Sequence, residues 1–245
     1  MLACRLRQAG GTEIPLGAGR LLVEYGESLW LVVSGAVTVL DPSTGRRAAD
    51  RVAGPGEALG PPGPRGSMRN ARPAWIRALV ATRLLEVESR VLDRACQRDP
   101  SIATDLMDLV RIRAERAEQR LRWSLRLPAE RHLHAELLDL AERFGVPLPG
   151  GGLRIAIPLT QDLLADLTGG ARETVNRSLR SLAARGLVVR NGLTYTVFAP
   201  PEDAGGSDGV SAAGDRDAAL FAAGFEPVDD DARLRRAAAG LAGGD

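Results

Sequence analysis

Between Leu21 and about Ser89 the chain runs through short apolar stretches, LLVEYGE, LWLVVSGAVTVL and WIRALVATRLLEVE, separated by DPSTG and by the Gly/Pro-dense GPGEALGPPGPRG. Strand-length apolar runs punctuated in this way predict an antiparallel β-domain. The texture changes at Asp99-Pro100, where Asp99 suits a helix N-cap and Pro100 the first helical position, at which its missing N–H is no loss. No Gly or Pro follows until Pro128, so the pattern predicts one helix of up to about 27 residues, some 40 Å long. Leu106, Val110, Ala114, Ala117, Leu121 and Leu125 recur at helical spacing and share one face. A stripe on so long a helix needs a partner. A second copy of the chain is the preferred one and the chain's own β-domain the alternative, and both can hold on different faces.

A second helix is predicted from Pro128 to Phe144, closed by Gly145 and Pro147. After a Gly-Gly-Gly turn, LRIAIPLTQDLLADLTGGARETVNRSLRSLAARGLVVRNGLTYTVF reads as strand, helix, Gly turn, helix and two strands joined at Asn191-Gly192, a hairpin signal. Helix-turn-helix plus hairpin is a winged helix. Thr160 is placed to cap the first helix, which buries Leu163, Leu164 and Leu167; Gly169 and Gly170 permit the turn. In the second helix Val175, Leu179 and Leu182 face inward, leaving Arg172, Glu173, Asn176, Arg177 and Arg180 outward from its N-terminus, the part of a recognition helix that enters the major groove. Arg reads guanine O6 and N7 in bidentate fashion, and Glu accepts from cytosine N4. The bland alternative is a solvated face with a Glu173–Arg177 ion pair worth about 0.3–0.5 kcal/mol. The Gly turn, inward stripe, polar face and hairpin in their proper order favour double-stranded DNA as the partner.

Composition narrows the picture. The net charge of +1 is uneven: beyond Pro200 ten acids face four arginines, so the rest of the chain is basic. That Gly/Ala/Asp-rich tail is expected to be flexible, and could contact RNA polymerase, shield the DNA-binding face, or do neither. Every basic residue is arginine, which with the Ala and Gly load fits a GC-rich bacterial genome, so arginine alone argues nothing. Two cysteines, Cys4 and Cys96, cannot build a disulfide framework or a four-cysteine metal site. With no Lys or His beside them in sequence, a redox role is the lesser reading. His132 and His134, two apart on a helix, point to different faces and make no metal pair. Neither a secretory h-region nor an apolar run of the roughly 18–20 residues that span a bilayer is present, so a cytoplasmic protein without membrane contact is expected. Paired carboxylates, a P-loop, a nucleophile elbow and a dinucleotide fingerprint are all missing, so neither an enzyme nor a cofactor is expected.

LTQDLLADLTGGARETVNRSLRSLAARGLV resembles the DNA-binding helices of the CRP/FNR regulator family, and the likeness extends to the Asp99-Pro100 helix start and, more loosely, to LLVEYGESLWLVVSGAVTVL. The resemblance implies an α+β fold: an N-terminal antiparallel β-roll of the cyclic-nucleotide-binding kind, a long dimerisation helix carrying Leu106, Val110, Ala114, Ala117 and Leu121, and a C-terminal winged helix-turn-helix. It further implies a homodimer on a palindrome of TGTGA-like half-sites. Arg172, Glu173 and Arg177 fall where the CRP branch reads bases and Thr174 where it contacts a phosphate, with Thr160, Asn176 and Arg180 in backbone or supporting positions. Ala171 stands where the family usually has an N-capping Ser.

The nucleotide-binding places that the resemblance points to are all altered. Gly60 is kept, but the ribose-binding Glu is Pro61; Arg72 survives, but the phosphate-contacting Ser is Pro73; Ala117 and Glu118 occupy the adenine-contacting pair. Prolines remove backbone N–H donors from a phosphate cradle as well as side-chain groups. Cyclic AMP in the usual pose is therefore not expected, and a different ligand, a protein partner or no effector stay open. The expected boundaries are 1–89 for the degenerate effector β-domain, 90–127 for the dimer helix, 128–199 for the winged helix and 200–245 for the tail. The alternative is a sensory or protein-interaction module that has lost DNA binding.

Overall fold

The computed structural model describes residues 1–24, 28–41, 48–60 and 74–199. Pro61, Arg72, Pro73, the segment between YGE and SLW, and the acidic tail lie outside the described residues. The fold is α+β, with two antiparallel sheets, a long helix and a C-terminal helix-turn-helix with its own small sheet.

In the β-domain, β1 (Thr12–Leu16), β8 (Thr82–Glu88), β3 (Ser28–Ser34) and β6 (Ala58–Leu59) form one sheet in that order; β2 (Leu21–Glu24), β7 (Ala74–Ala78), β4 (Val37–Asp41) and β5 (Ala48–Ala53) form the other. Trp30, Val32, Val37, Ile76 and Leu84 fill the space between them, as expected where each sheet turns its apolar positions inward. Two helices absent from the sequence reading close one end. Helix α1 (Leu2–Gln8) and α2 (Ser89–Arg98) pack Leu6 and Leu92 with Leu29, Leu85 and Val87. Arg5 binds Asp99, Ser101 and Asp105 on the next helix, so the N-terminal turn is tied to the root of the long helix.

That helix, α3 (Pro100–Arg126), has the predicted length of 27 residues, and the Asp99 carboxylate caps it by accepting from the Ser101 N–H at 3.1 Å. The apolar stripe divides. Leu106 is buried with Ile102 in the chain's own core, whereas Val110, Ala114, Ala117, Leu121 and Leu125 are exposed. Both readings of the stripe thus have a share of it: the root packs inward and the rest is left open.

After the break at Leu127-Pro128, α4 (Ala129–Phe144) leads into β9 (Gly145–Pro147), β10 (Leu153–Ile155), α5 (Gln161–Thr168), α6 (Arg172–Ala184), β11 (Val188–Asn191) and β12 (Thr194–Val197), with sheet order β11-β12-β10-β9. The hairpin loop is Gly192-Leu193, one residue beyond the expected Asn191-Gly192, because Asn191 pairs with Thr194 and Gly192 takes the positive φ of 64°. This unit is docked on the β-domain, and one apolar core runs from Ala49, Val52 and Leu79 into Leu137, Leu140 and Leu164. The Phe144 ring lies over Gly54, where a Cβ would approach it to 2.5 Å. The Asp166 carboxylate on α5 accepts from the Ala49 N–H of β5 at 2.9 Å. Arg143, 7% exposed, donates to the Val52 carbonyl at 2.7 Å and to Glu57 at 2.7 Å; Glu57 also takes Arg116 of α3 at 2.7 Å.

A second buried charge spans α3 and α4. Glu136 is fully buried and accepts from Arg120 at 2.6 Å, while its Oε2 has no partner. Burial pushes its carboxyl up to about 7, with Arg120 opposing. The folded state therefore holds a proton that the unfolded chain releases near the usual value, and this contribution to stability is complete at low pH and lost as pH rises through about 7. We predict a decline in urea-unfolding free energy between about pH 4.5 and 7, at most on the order of 3 kcal/mol. Glu136→Gln, whose amide oxygen can still accept from Arg120, should flatten that slope; an unchanged slope would mean Glu136 is not its source.

Candidate nucleic-acid interface

The geometry of the helix pair is set locally. Thr160 Oγ1 accepts from the Leu163 N–H at 3.1 Å, the predicted N-cap of α5. Gly169 ends α5 at φ +63°, a left-handed conformation that a Cβ would oppose, and the Gly170 N–H bonds back to the Ala165 carbonyl at 3.0 Å. Leu163, Leu164 and Leu167 are buried on one side of this turn and Val175, Leu179 and Leu182 on the other, as the spacing predicts. Ser178, not singled out in the sequence, is buried beside Leu179 on the same face.

With that stripe inward, Arg172, Glu173, Arg177 and Arg180 are exposed along α6 and Thr174 and Asn176 are half-buried. Glu173 and Arg177 form no ion pair with one another among the described residues, so the pairing expected of a merely solvated face is not made. Instead Arg172 lies 3.4 Å from Asp162 of α5, both exposed, an interaction across the Gly turn that no sequence spacing announces. Such an exposed pair contributes little to stability and leaves the guanidinium free to exchange partners. Arg180 turns its Nε toward the Asn176 carbonyl at 3.4 Å. Two contacts fix α6 and the wing to α4: Arg185 with Glu130 at 2.6 Å, and the His134 Nε2 with the Phe198 carbonyl at 3.1 Å. Both histidines are buried, and burial lowers their pKa values.

The nucleotide-pocket positions are only partly brought together. Gly60 is met by Arg113, which donates to its carbonyl at 3.2 Å. Ala117 and Glu118 are exposed on α3, and Glu118 lies 3.7 Å from Arg122 on its own helix. Of the two thiols, Cys96 is raised by burial, with Asp93 and Asp99 adding, a direction opposite to that of a reactive thiolate. No described helix is long and apolar enough to cross a membrane.

Helix α6 starts at Ala171 without a side-chain cap. Ala171→Ser should restore one and raise stability by about 1 kcal/mol, read as the midpoint shift in chemical denaturation. No gain would mean the first turn is already satisfied.

The comparisons agree with this geometry. A Crp-like helix-turn-helix domain model matches residues 131–200. Over 190 residues the chain is 32% identical to a CRP-like cAMP-activated global transcriptional regulator of Mycobacterium tuberculosis, covering 71% of this chain and 77% of that one. It is 29% identical over 167 residues to the nitrogen fixation regulation protein FixK of Azorhizobium caulinodans, covering 67% and 65%. In fold it matches FixK2 of Bradyrhizobium japonicum (TM-score 0.63, 24% identity, 76% and 92% covered) and the c-di-GMP responsive global regulator CLP of Xanthomonas campestris (TM-score 0.66, 19% identity, 81% and 99% covered).

Proposed function

The chain belongs to the CRP/FNR family of transcription regulators, and from that premise we propose that it binds a palindromic operator as a homodimer, with Arg172, Glu173 and Arg177 reading bases. The observation that carries the proposal is the outward face of α6: two arginines and one glutamate, exposed at the helix N-terminal half, on a helix held by its buried side. Each is a base-edge reader, and the set suits G·C pairs, as in a TGTGA-like half-site. Thr160, Thr174, Asn176 and Arg180 fix the register on the backbone. Residues 1–89 form the effector domain, 90–127 the dimer element and 128–199 the reader.

The dimer runs along α3. Met107, Val110, Leu121 and Leu125 are 73%, 41%, 57% and 75% exposed, an apolar seam that a second copy would cover. Two readers held in this way meet successive major grooves about 34 Å apart. Operator binding is independent of cyclic AMP, because the adenine-contacting hydroxyls are replaced by Ala117 and Glu118 and the phosphate cradle by Pro61 and Pro73.

Two measurements test the reading. In a fluorescence-polarisation titration at near-physiological salt, a TGTGA-type palindrome should bind selectively over a scrambled duplex, equally with and without cyclic AMP. Arg177→Ala should cost about 1–3 kcal/mol on the palindrome and far less on random DNA; equal losses on both would remove Arg177 as a base reader. In sedimentation velocity the wild type should run as a dimer and Leu121→Glu as a monomer, and a dimer that survives the substitution would place the interface elsewhere.

A further inference from the structure

A cavity of about 520 Å³ lies between β5, α3 and the turn that ends α5, a size suited to a small organic ligand. Its walls come from both halves of the chain: Arg51 from the β-domain, Arg113 from the long helix, and Thr168 and Gly169 from the helix-turn-helix. Leu109, Ile112 and Leu121 give it an apolar side.

The charges in this wall are unevenly matched. Arg116 and Arg143 share Glu57, and Arg120 has Glu136. Arg51 and Arg113 have no acidic partner within ion-pair distance among the described residues; they reach only the Ala58 carbonyl at 3.4 Å and the Gly60 carbonyl at 3.2 Å. Burial, and after it the charge of Arg113, pushes the Arg51 pKa down to about 10, so it stays charged at neutral pH while repelled by its neighbour. Further along the wall His132 is 6% exposed and its Nε2 has no hydrogen-bond partner. An unpaired cation pair and an orphaned buried nitrogen around a partly apolar cavity are the costs that a bound anion would relieve.

We infer that this cavity is a binding site for an amphiphilic anion, with a carboxylate or phosphate on Arg51 and Arg113, a hydrogen bond from His132, and the apolar body against Leu109, Ile112 and Leu121. The site is centred toward the helix-turn-helix, and of the positions that the family likeness assigns to nucleotide binding it includes Ala117 alone among the described residues. On the helical wheel of α3 the cavity face and the exposed seam are adjacent and share Ala117 and Leu121. An occupant therefore touches the β-domain, the edge of the seam and the turn before α6 at once. Its influence on DNA affinity rests on the DNA-reading proposal; its binding does not.

The test uses the full-length protein and the fluorescent anion 1-anilinonaphthalene-8-sulfonate, with the uncharged N-phenyl-1-naphthylamine as its control. We expect saturable binding of the anion at one site per chain, weakened about tenfold by Arg113→Gln and by Arg51→Gln, and at least tenfold weaker binding of the uncharged analogue. Arg113 lies on an exposed helix face, so its variant should fold as the wild type does, checked by circular dichroism. Displacement by benzoate points to a carboxylate ligand and displacement by AMP to a phosphate; displacement by neither counts against an anion head in the cavity. Equal affinity for the uncharged analogue, or affinity unmoved in both variants, would overturn the assignment. Operator titration of the same preparations keeps the two proposals apart, since loss of DNA selectivity with probe binding intact would count against the DNA reading alone.

Discussion

The carboxylate of Glu57 is the point on which the arrangement of the whole chain depends. It sits at the edge of the β-domain and takes Arg116 from the long helix and Arg143 from the first helix of the DNA-binding unit. Arg143 is almost fully buried, and removing the acid would strand its charge, a far larger cost than the pair's net contribution to stability. Around this clamp the apolar surfaces close: Phe144 over Gly54, and α5 against β5 with Asp166 satisfying the Ala49 N–H. Placement of the reader relative to the β-domain is therefore set by charge geometry as well as by burial. An apolar interface alone would tolerate sliding; three fixed donors around one carboxylate do not.

Elements whose signals lie within a few residues of one another could be read from the sequence. The Asp99 cap, the uninterrupted stretch to Pro128, the Thr160 cap, the Gly turn and the inward stripe of α6 each declare themselves locally, and all are found where the spacing placed them. The wing was misplaced by one residue because Asn-Gly marks the turn without fixing which residue starts it. Helix α1 escaped notice because seven residues are too few to show a periodicity, and it is held by Leu6 and Arg5 through contacts about a hundred positions away. The two arginines that hold the clamp look like any other arginine in a chain whose basic residues are all of that type. What marks Arg143 is its burial, which no local pattern reveals.

The exposed face of α6 was legible because exposure follows from the positions left over once the stripe is buried. Its pairing was not. Asp162 and Arg172 stand ten positions apart on different helices, brought together only by the sharp turn at Gly169. DNA would take Arg172 away from a carboxylate that already neutralises it, so part of the gain from a guanine contact offsets the loss of that partner. Asp162 thereby lowers affinity for any duplex that offers Arg172 nothing better.

The missing cap at Ala171 has a thermodynamic consequence. An uncapped first turn leaves N–H groups directed outward from the start of α6, a place where the helix dipole favours negative charge. A DNA phosphate can complete that turn as a serine hydroxyl would, so part of the ordering of the reader is deferred from folding to the moment of contact. Such deferral trades a tighter free state for a larger, more enthalpic response when the duplex arrives, and it makes the stiffness of the recognition helix a property of the complex rather than of the protein alone.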